Sequence, residues 1–273
     1  MSNFLTRTIT GILFVAILMI GIVYSSWSFF VLFLVIQFFS LREFYTLSEK
    51  AKIFPNYTLG LAAGAYLFVT LYFGLLGVSS MKYTLGIIPL GLLIFICELF
   101  RKKEKPIENI AYTIMGIVLI ALPIALFNFF VFPSYIAGEY FPYILFGIFI
   151  IQWANDSGAY VIGVSFGKHR LFERISPKKS WEGAVGGVLS ALLAAFLLSL
   201  LVKELSLIHW LVIGAIISVF GTFGDLVESL YKRTLGVKDS GSILPGHGGM
   251  LDRFDSIVFA APAVFVYLYL TFA

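Results

Sequence analysis

The stretch KDSGSILPGHGGMLDRFDS, residues 238–256, gathers Lys238, Asp239, His247, Asp252, Arg253 and Asp255 around Gly241, Gly246, Gly248 and Gly249. A second group stands just ahead of it: Asp225, Glu228, Ser229, Lys232 and Arg233. Carboxylates brought together repel one another, so one must take a proton or a cation must sit among them. Hard oxygen donors suit Mg²⁺, which uses one or two carboxylates and leaves positions for phosphate oxygens and water. No clustered Cys/His spacing favours zinc. Lys232, Arg233, Lys238, His247 and Arg253 add groups that hold anions. Acids for a metal beside bases for phosphates is the composition of a phosphoryl-transfer site.

Spacing sharpens this reading. Gly221, Asp225, Glu228 and Lys232 follow i, i+4, i+7 and i+11 and share one helical face, with Phe220, Leu226, Val227 and Leu230 opposite. Asp252, Asp255 and Ser256 fall at i, i+3 and i+4. The plainer alternatives are an ion pair of Glu228 with Lys232 and a helix N-cap at Asp252. The glycines of PGHGG let backbone N–H groups approach an anion at a helix start. Upstream, Lys178 and Lys179 follow Pro177 and suit a phosphate, and Trp181 suits a base or the headgroup level. Positive-inside bias with an interfacial tryptophan explains those residues equally well. No GxxxxGK[ST] occurs, so the motif of a P-loop NTPase is missing.

These residues must be positioned by membrane helices. Of 273 residues, 60% are hydrophobic and 12% charged, against about a quarter charged in soluble domains. The apolar residues come in runs of about 20, the length that crosses a hydrocarbon core. We expect an all-α polytopic protein with nine spans, near 8–25, 28–46, 58–77, 83–100, 111–133, 143–165, 183–202, 207–230 and 253–272. The first run is long, lacks a clear small-residue cleavage site and leads into another span, so it reads as a transmembrane helix and not a secretory signal. Four N-terminal spans would occupy 1–110 and a catalytic region of five spans 111–273, with cytoplasmic loops at 166–182 and 231–252. An N-terminus in the cytoplasm and a C-terminus outside puts 17 of the 19 Lys and Arg inside, leaving Lys82 and Lys203 opposite. The first half is almost free of acids within its helices, whereas Asp156, Asp225 and Glu228 fall inside later spans, each costly near a helix centre. Cys97 is the single cysteine, so no intrachain disulfide forms. The run RKKEK at 101–105 fits anionic headgroups, and nothing supports nucleic-acid binding.

Ser229, Lys232-Arg233, Lys238-Asp239, Gly241, Pro245, His247-Gly248-Gly249, Asp252-Arg253 and Asp255 together resemble the signature of the phosphatidate cytidylyltransferases, or CDP-diacylglycerol synthases. NDSGAY at 155–160 and SPKKSWEG at 176–183 are also similar to that family. The resemblance covers about the C-terminal 120 residues, and it implies a helical membrane bundle, a homodimer and a bacterial inner-membrane location. It further implies transfer of the cytidylyl group of CTP to phosphatidic acid, giving CDP-diacylglycerol and pyrophosphate. It assigns metal binding to Asp225 and Asp252, Mg²⁺ as cofactor with K⁺ as a second cation, and phosphate-holding roles to Lys232, Arg233, Lys238 and Arg253. Asp239 would orient a neighbouring base, His247 would donate to phosphate or shape the turn, and Asp255 and Glu228 would support the metal. Lys178, Lys179, Ser180, Trp181, Glu182, Ser229, Gly248 and Gly249 would line the substrates.

An ion-coupled transporter also uses intramembrane acids, but here polarity gathers at one surface and no paired repeat is visible. The DGxxAR…GxxxDxxxD pattern of enzymes that pass a CDP-linked group to an alcohol is absent. A purely structural subunit leaves the carboxylates at the hinge unexplained.

Overall fold

The computed structural model describes residues 3–133, 139–243, 246 and 248–272, with side chains from residue 8 onward. Every one of the nine expected apolar stretches is helical, and most edges move by only a few residues. In chain order the helices are α1 (Asn3–Val23), α2 (Ser26–Ser48), α3 (Tyr57–Leu75), α4 (Ile87–Arg101) and α5 (Pro106–Gly116), continued through a π-turn at Ile117–Ala121 into α6 (Leu122–Val131). They go on as α7 (Tyr143–Phe166), α8 (Trp181–Leu201), α9 (Leu207–Thr234) and α10 (Leu251–Phe272). A hairpin of β1 (Arg170–Phe172) and β2 (Ser176–Ser180) precedes α8. Among the described residues, seven helices are long and apolar enough to cross a membrane. The protein is therefore an all-α, polytopic membrane fold. The expectation of nine spans exceeds that set by two: the described apolar part of α1, Thr8–Val23, is shorter, and Gln152, Asn155 and Asp156 break the apolar run of the continuous helix α7.

Local chemistry sets the helix starts. Ser25 and Ser28 form a reciprocal capping box at α2, with Ser28 N–H donating to Ser25 Oγ at 3.1 Å. Asn56 Oδ1 accepts from Leu59 N–H at 3.1 Å at the start of α3, and Pro106 opens α5, where its missing N–H costs nothing.

The chain divides into two compact units, Met1–Phe141 with Thr234–Phe254, and Pro142–Arg233 with Asp255–Ala273. The first is packed by aromatic rings: Phe29, Phe33, Phe68 and Phe127 are fully buried. Gln37 Nε2 donates to the Ala121 carbonyl at 2.8 Å, at the end of the π-turn, where the helical ladder is irregular. This half is less free of acids than the sequence suggests. Glu98 is 6% exposed and accepts from Asn109 Nδ2 and Arg101 Nη1, both at 2.7 Å, and Glu43 on α2 is equally buried.

In the second unit α7 and α8 pack through glycine. A Cβ on Gly187 would stand 2.8 Å from Asn155 Oδ1 and 3.0 Å from the Asn155 carbonyl, so small residues let the two backbones meet, as membrane helices require. The hairpin is the main departure from expectation, since 166–182 reads in sequence as a charged loop. Its base is tied by Trp181 N–H donating to the His169 carbonyl at 2.9 Å. Glu182 accepts from the backbone N–H groups of Lys168 and His169 and contacts His169 Nδ1 at 2.6 Å.

Candidate active site

The second unit holds a cluster of carboxylates. Asp225 and Glu228 on α9 and Asp255 on α10 each offer an oxygen within 4.8 Å of the others. The expected polar stripe of α9 is real: Gly221 faces Gln152, Asp225 follows one turn on, and Glu228 pairs with Lys232 at 2.5 Å. Thus the simple i,i+4 ion pair and membership of the cluster both hold for Glu228. Lys179 Nζ lies 2.6 Å from Asp225 Oδ2, and Ser229 Oγ donates to Asp225 Oδ1 at 3.1 Å. Asp255 Oδ1 accepts the Ser256 backbone N–H at 2.6 Å.

Beside the cluster opens a cavity of about 350 Å³, lined by Asp156, Lys178, Lys179, Thr222, Asp225 and Ser256 among others. Its size falls at the lower end of small-ligand pockets. On its wall Gln152 Nε2 donates to Asp156 Oδ1 at 2.9 Å. β2 delivers both lysines to this cavity and ends at Ser180, whose Oγ accepts Gly183 N–H at 3.1 Å and caps α8. The Trp181 ring is exposed.

Three hard carboxylate oxygens, with no sulfur or imidazole among them, form a donor set that fits a divalent cation such as Mg²⁺. Asp225 belongs to both features: it is a member of the cluster and a wall of the cavity. A cation held there would stand beside the cavity that Lys178 and Lys179 line.

The signature segment between α9 and α10 belongs to the first unit. Lys238, Asp239 and Arg253 are exposed. Asp252 Oδ2 accepts the backbone N–H groups of Ser240 at 2.9 Å and Gly249 at 2.8 Å, so it closes the turn before α10. Gly246 and Gly248 take left-handed backbone, with φ of 77° and 83°, the conformation glycine tolerates. His247 and Pro245 lie outside the described residues. Lys232 and Arg233 lie on α9, which runs to Thr234 and shortens the expected loop. Sequence reasoning named Asp156 as an intramembrane acid but gave it no place in the site, and it missed Glu43 altogether. The sequence hints for Asp156 are its place in NDSGAY and its spacing of i,i+4 from Gln152 on α7.

The model of the cytidylyltransferase family matches residues 5–271. Phosphatidate cytidylyltransferase of Staphylococcus epidermidis is 38% identical over 185 residues, which is 67% of this chain and 68% of that protein. The protein of the same name from Bacillus subtilis is 37% identical over 193 residues, 70% of this chain and 69% of its own. That of Staphylococcus saprophyticus reaches 49% over 128 residues, 46% and 48% of the two chains. The chain belongs to the phosphatidate cytidylyltransferase family.

Proposed function

We propose that this protein is a CTP:phosphatidate cytidylyltransferase that works with Mg²⁺ at the cytoplasmic face of a bacterial inner membrane. The observation that carries the site is Asp225, shared by the carboxylate cluster and the lysine-lined cavity. A phosphate oxygen of phosphatidic acid attacks the α-phosphorus of CTP. That P–O bond forms as the bond to the β-phosphate breaks, and pyrophosphate leaves with the electron pair. The nucleophile is already an anion, so the protein needs no serine or cysteine of its own. Catalysis reduces to holding two anions in line and neutralising charge.

Asp225, Glu228 and Asp255 would hold the metal, and Asp252 stays a proposed ligand on the strength of the signature. Bound there, Mg²⁺ supplies charge neutralisation for the departing pyrophosphate. Lys178 and Lys179 hold phosphate in the cavity, and Lys179 also fixes Asp225 through its ion pair. Lys232 orients Glu228. Arg233, Lys238 and Arg253 are the proposed phosphate-holding bases of the signature, with Asp239 steering Lys238 or Arg233. Ser229 orients Asp225, while Trp181 and Glu182 border the substrates. His247, Gly248 and Gly249 shape the turn, K⁺ is proposed as a second cation, and the assembly is proposed to be a homodimer.

The test uses detergent-purified protein with labelled CTP, phosphatidic acid and Mg²⁺. A labelled lipid product that requires phosphatidic acid is the expected result. Protein that moves a solute across vesicles and forms no such lipid would overturn the assignment in favour of a transporter.

A further inference from the structure

Glu43 lies near the C-terminal end of α2, far along the chain from any signature residue, and is 6% exposed. A carboxylate placed there carries a heavy desolvation cost unless its oxygens are satisfied. Its partners all come from the signature segment. Oε1 accepts the Met250 backbone N–H at 2.9 Å. Oε2 accepts the Leu251 backbone N–H at 2.9 Å and the Ser240 hydroxyl at 3.0 Å. Met250 directly precedes α10 and Leu251 opens it, where the N–H groups of a helix start and the helix dipole favour a negative charge. The fit is close. A Cβ on Gly241 would stand 2.5 Å from Glu43 Oε1, and one on Gly249 would collide with Glu43 Oε2 and Ser240 Oγ.

The glycines of the signature therefore bring backbone donors to an anion, and that anion is the protein's own carboxylate. Ser240 and Gly249 also hold Asp252 Oδ2 through their backbone N–H groups. Glu43 thus grips the same short turn that presents Asp252, together with the segment bearing Lys238 and Asp239. We infer that Glu43 is a positioning residue for cytidylyl transfer, clamping Ser240, Met250 and Leu251 from α2 so that Asp252 and its neighbouring bases are held in register. This inference rests on the proposed function for its link to turnover, while the clamp itself is independent of it.

The experiment compares wild type, Glu43→Gln and Ser240→Ala as full chains in detergent, by initial-rate kinetics and by backbone hydrogen exchange. Glutamine keeps the size of the side chain but turns an N–H₂ donor toward backbone donors. In Glu43→Gln, kcat is expected to fall ~10–100-fold while KM for phosphatidic acid stays within about threefold. The Met250 and Leu251 amides should exchange faster, and those of α3 should keep their protection. Ser240→Ala loses one of the three contacts and should show the same pattern with a smaller fall. Unchanged exchange at Met250 and Leu251 overturns the clamp. A loss of protection spread evenly through α3 and α10 also overturns the clamp, and a kcat within about twofold of wild type overturns the positioning role. Should Glu43→Gln fail to insert, Ser240→Ala decides by the same readouts. Wild-type protein that makes no lipid from CTP sinks the proposed function, and exchange at Met250 and Leu251 still decides whether Glu43 clamps the segment.

Discussion

Asp252 closes the turn before α10 and is also a proposed metal ligand. The Ser240 and Gly249 backbone N–H groups both donate to a single oxygen, Oδ2, so an asparagine can keep these two bonds through its carbonyl. Asp252→Asn therefore removes charge and leaves the turn closed. The expected outcome is a folded, membrane-inserted protein whose turnover drops by ~100-fold or more, the scale of losing a metal-site contact. Turnover near wild type would leave Asp252 as a turn-closing residue only. The α9 stripe was legible in the sequence because helical periodicity alone puts Gly221, Asp225, Glu228 and Lys232 on one face. The Lys179–Asp225 pair was not, because it joins a hairpin to a distant helix. Glu43 was hidden for the same reason. An isolated acid beside Arg42 near a helix end looks like a headgroup contact, and its partners arrive 197 to 208 residues later.

At the scale of elements, long apolar runs made the helices easy to place, and caps such as Ser25 and Asn56 trim their ends. The hairpin escaped detection because β1 and β2 are short and carry Arg170, Pro177, Lys178 and Lys179, residues that read as a solvated loop. It matters because β2 carries both cavity lysines and hands the chain to α8 through Ser180. Ser180→Ala removes the cap of α8 and should cost about 1 kcal/mol, read as a shifted denaturation midpoint. Weakened CTP binding with an unshifted midpoint would instead make Ser180 a substrate contact.

For the whole molecule, the reaction dictates where the polar residues must lie. CTP comes from water and phosphatidic acid from the bilayer, so a site at the boundary serves both. The proposed orientation, argued from the Lys and Arg distribution, has that boundary on the cytoplasmic side. In a Cys97→Ser background, Lys103→Cys and Glu173→Cys are expected to react with a membrane-impermeant maleimide from the cytoplasm. Lys82→Cys and Lys203→Cys should react only from the opposite side. The reverse pattern would invert the topology and separate the site from CTP.

The proposed reaction depends on a divalent cation held by carboxylates from α9 and α10. It is tested most directly by the rate of CDP-diacylglycerol formation as Mg²⁺ is titrated into metal-stripped wild type and Asp225→Asn. Wild type should rise from no activity to saturation and fall back on addition of EDTA, while Asp225→Asn stays near the baseline throughout. Synthesis by stripped wild-type protein at full rate, or an unaltered Mg²⁺ response in Asp225→Asn, would contradict it.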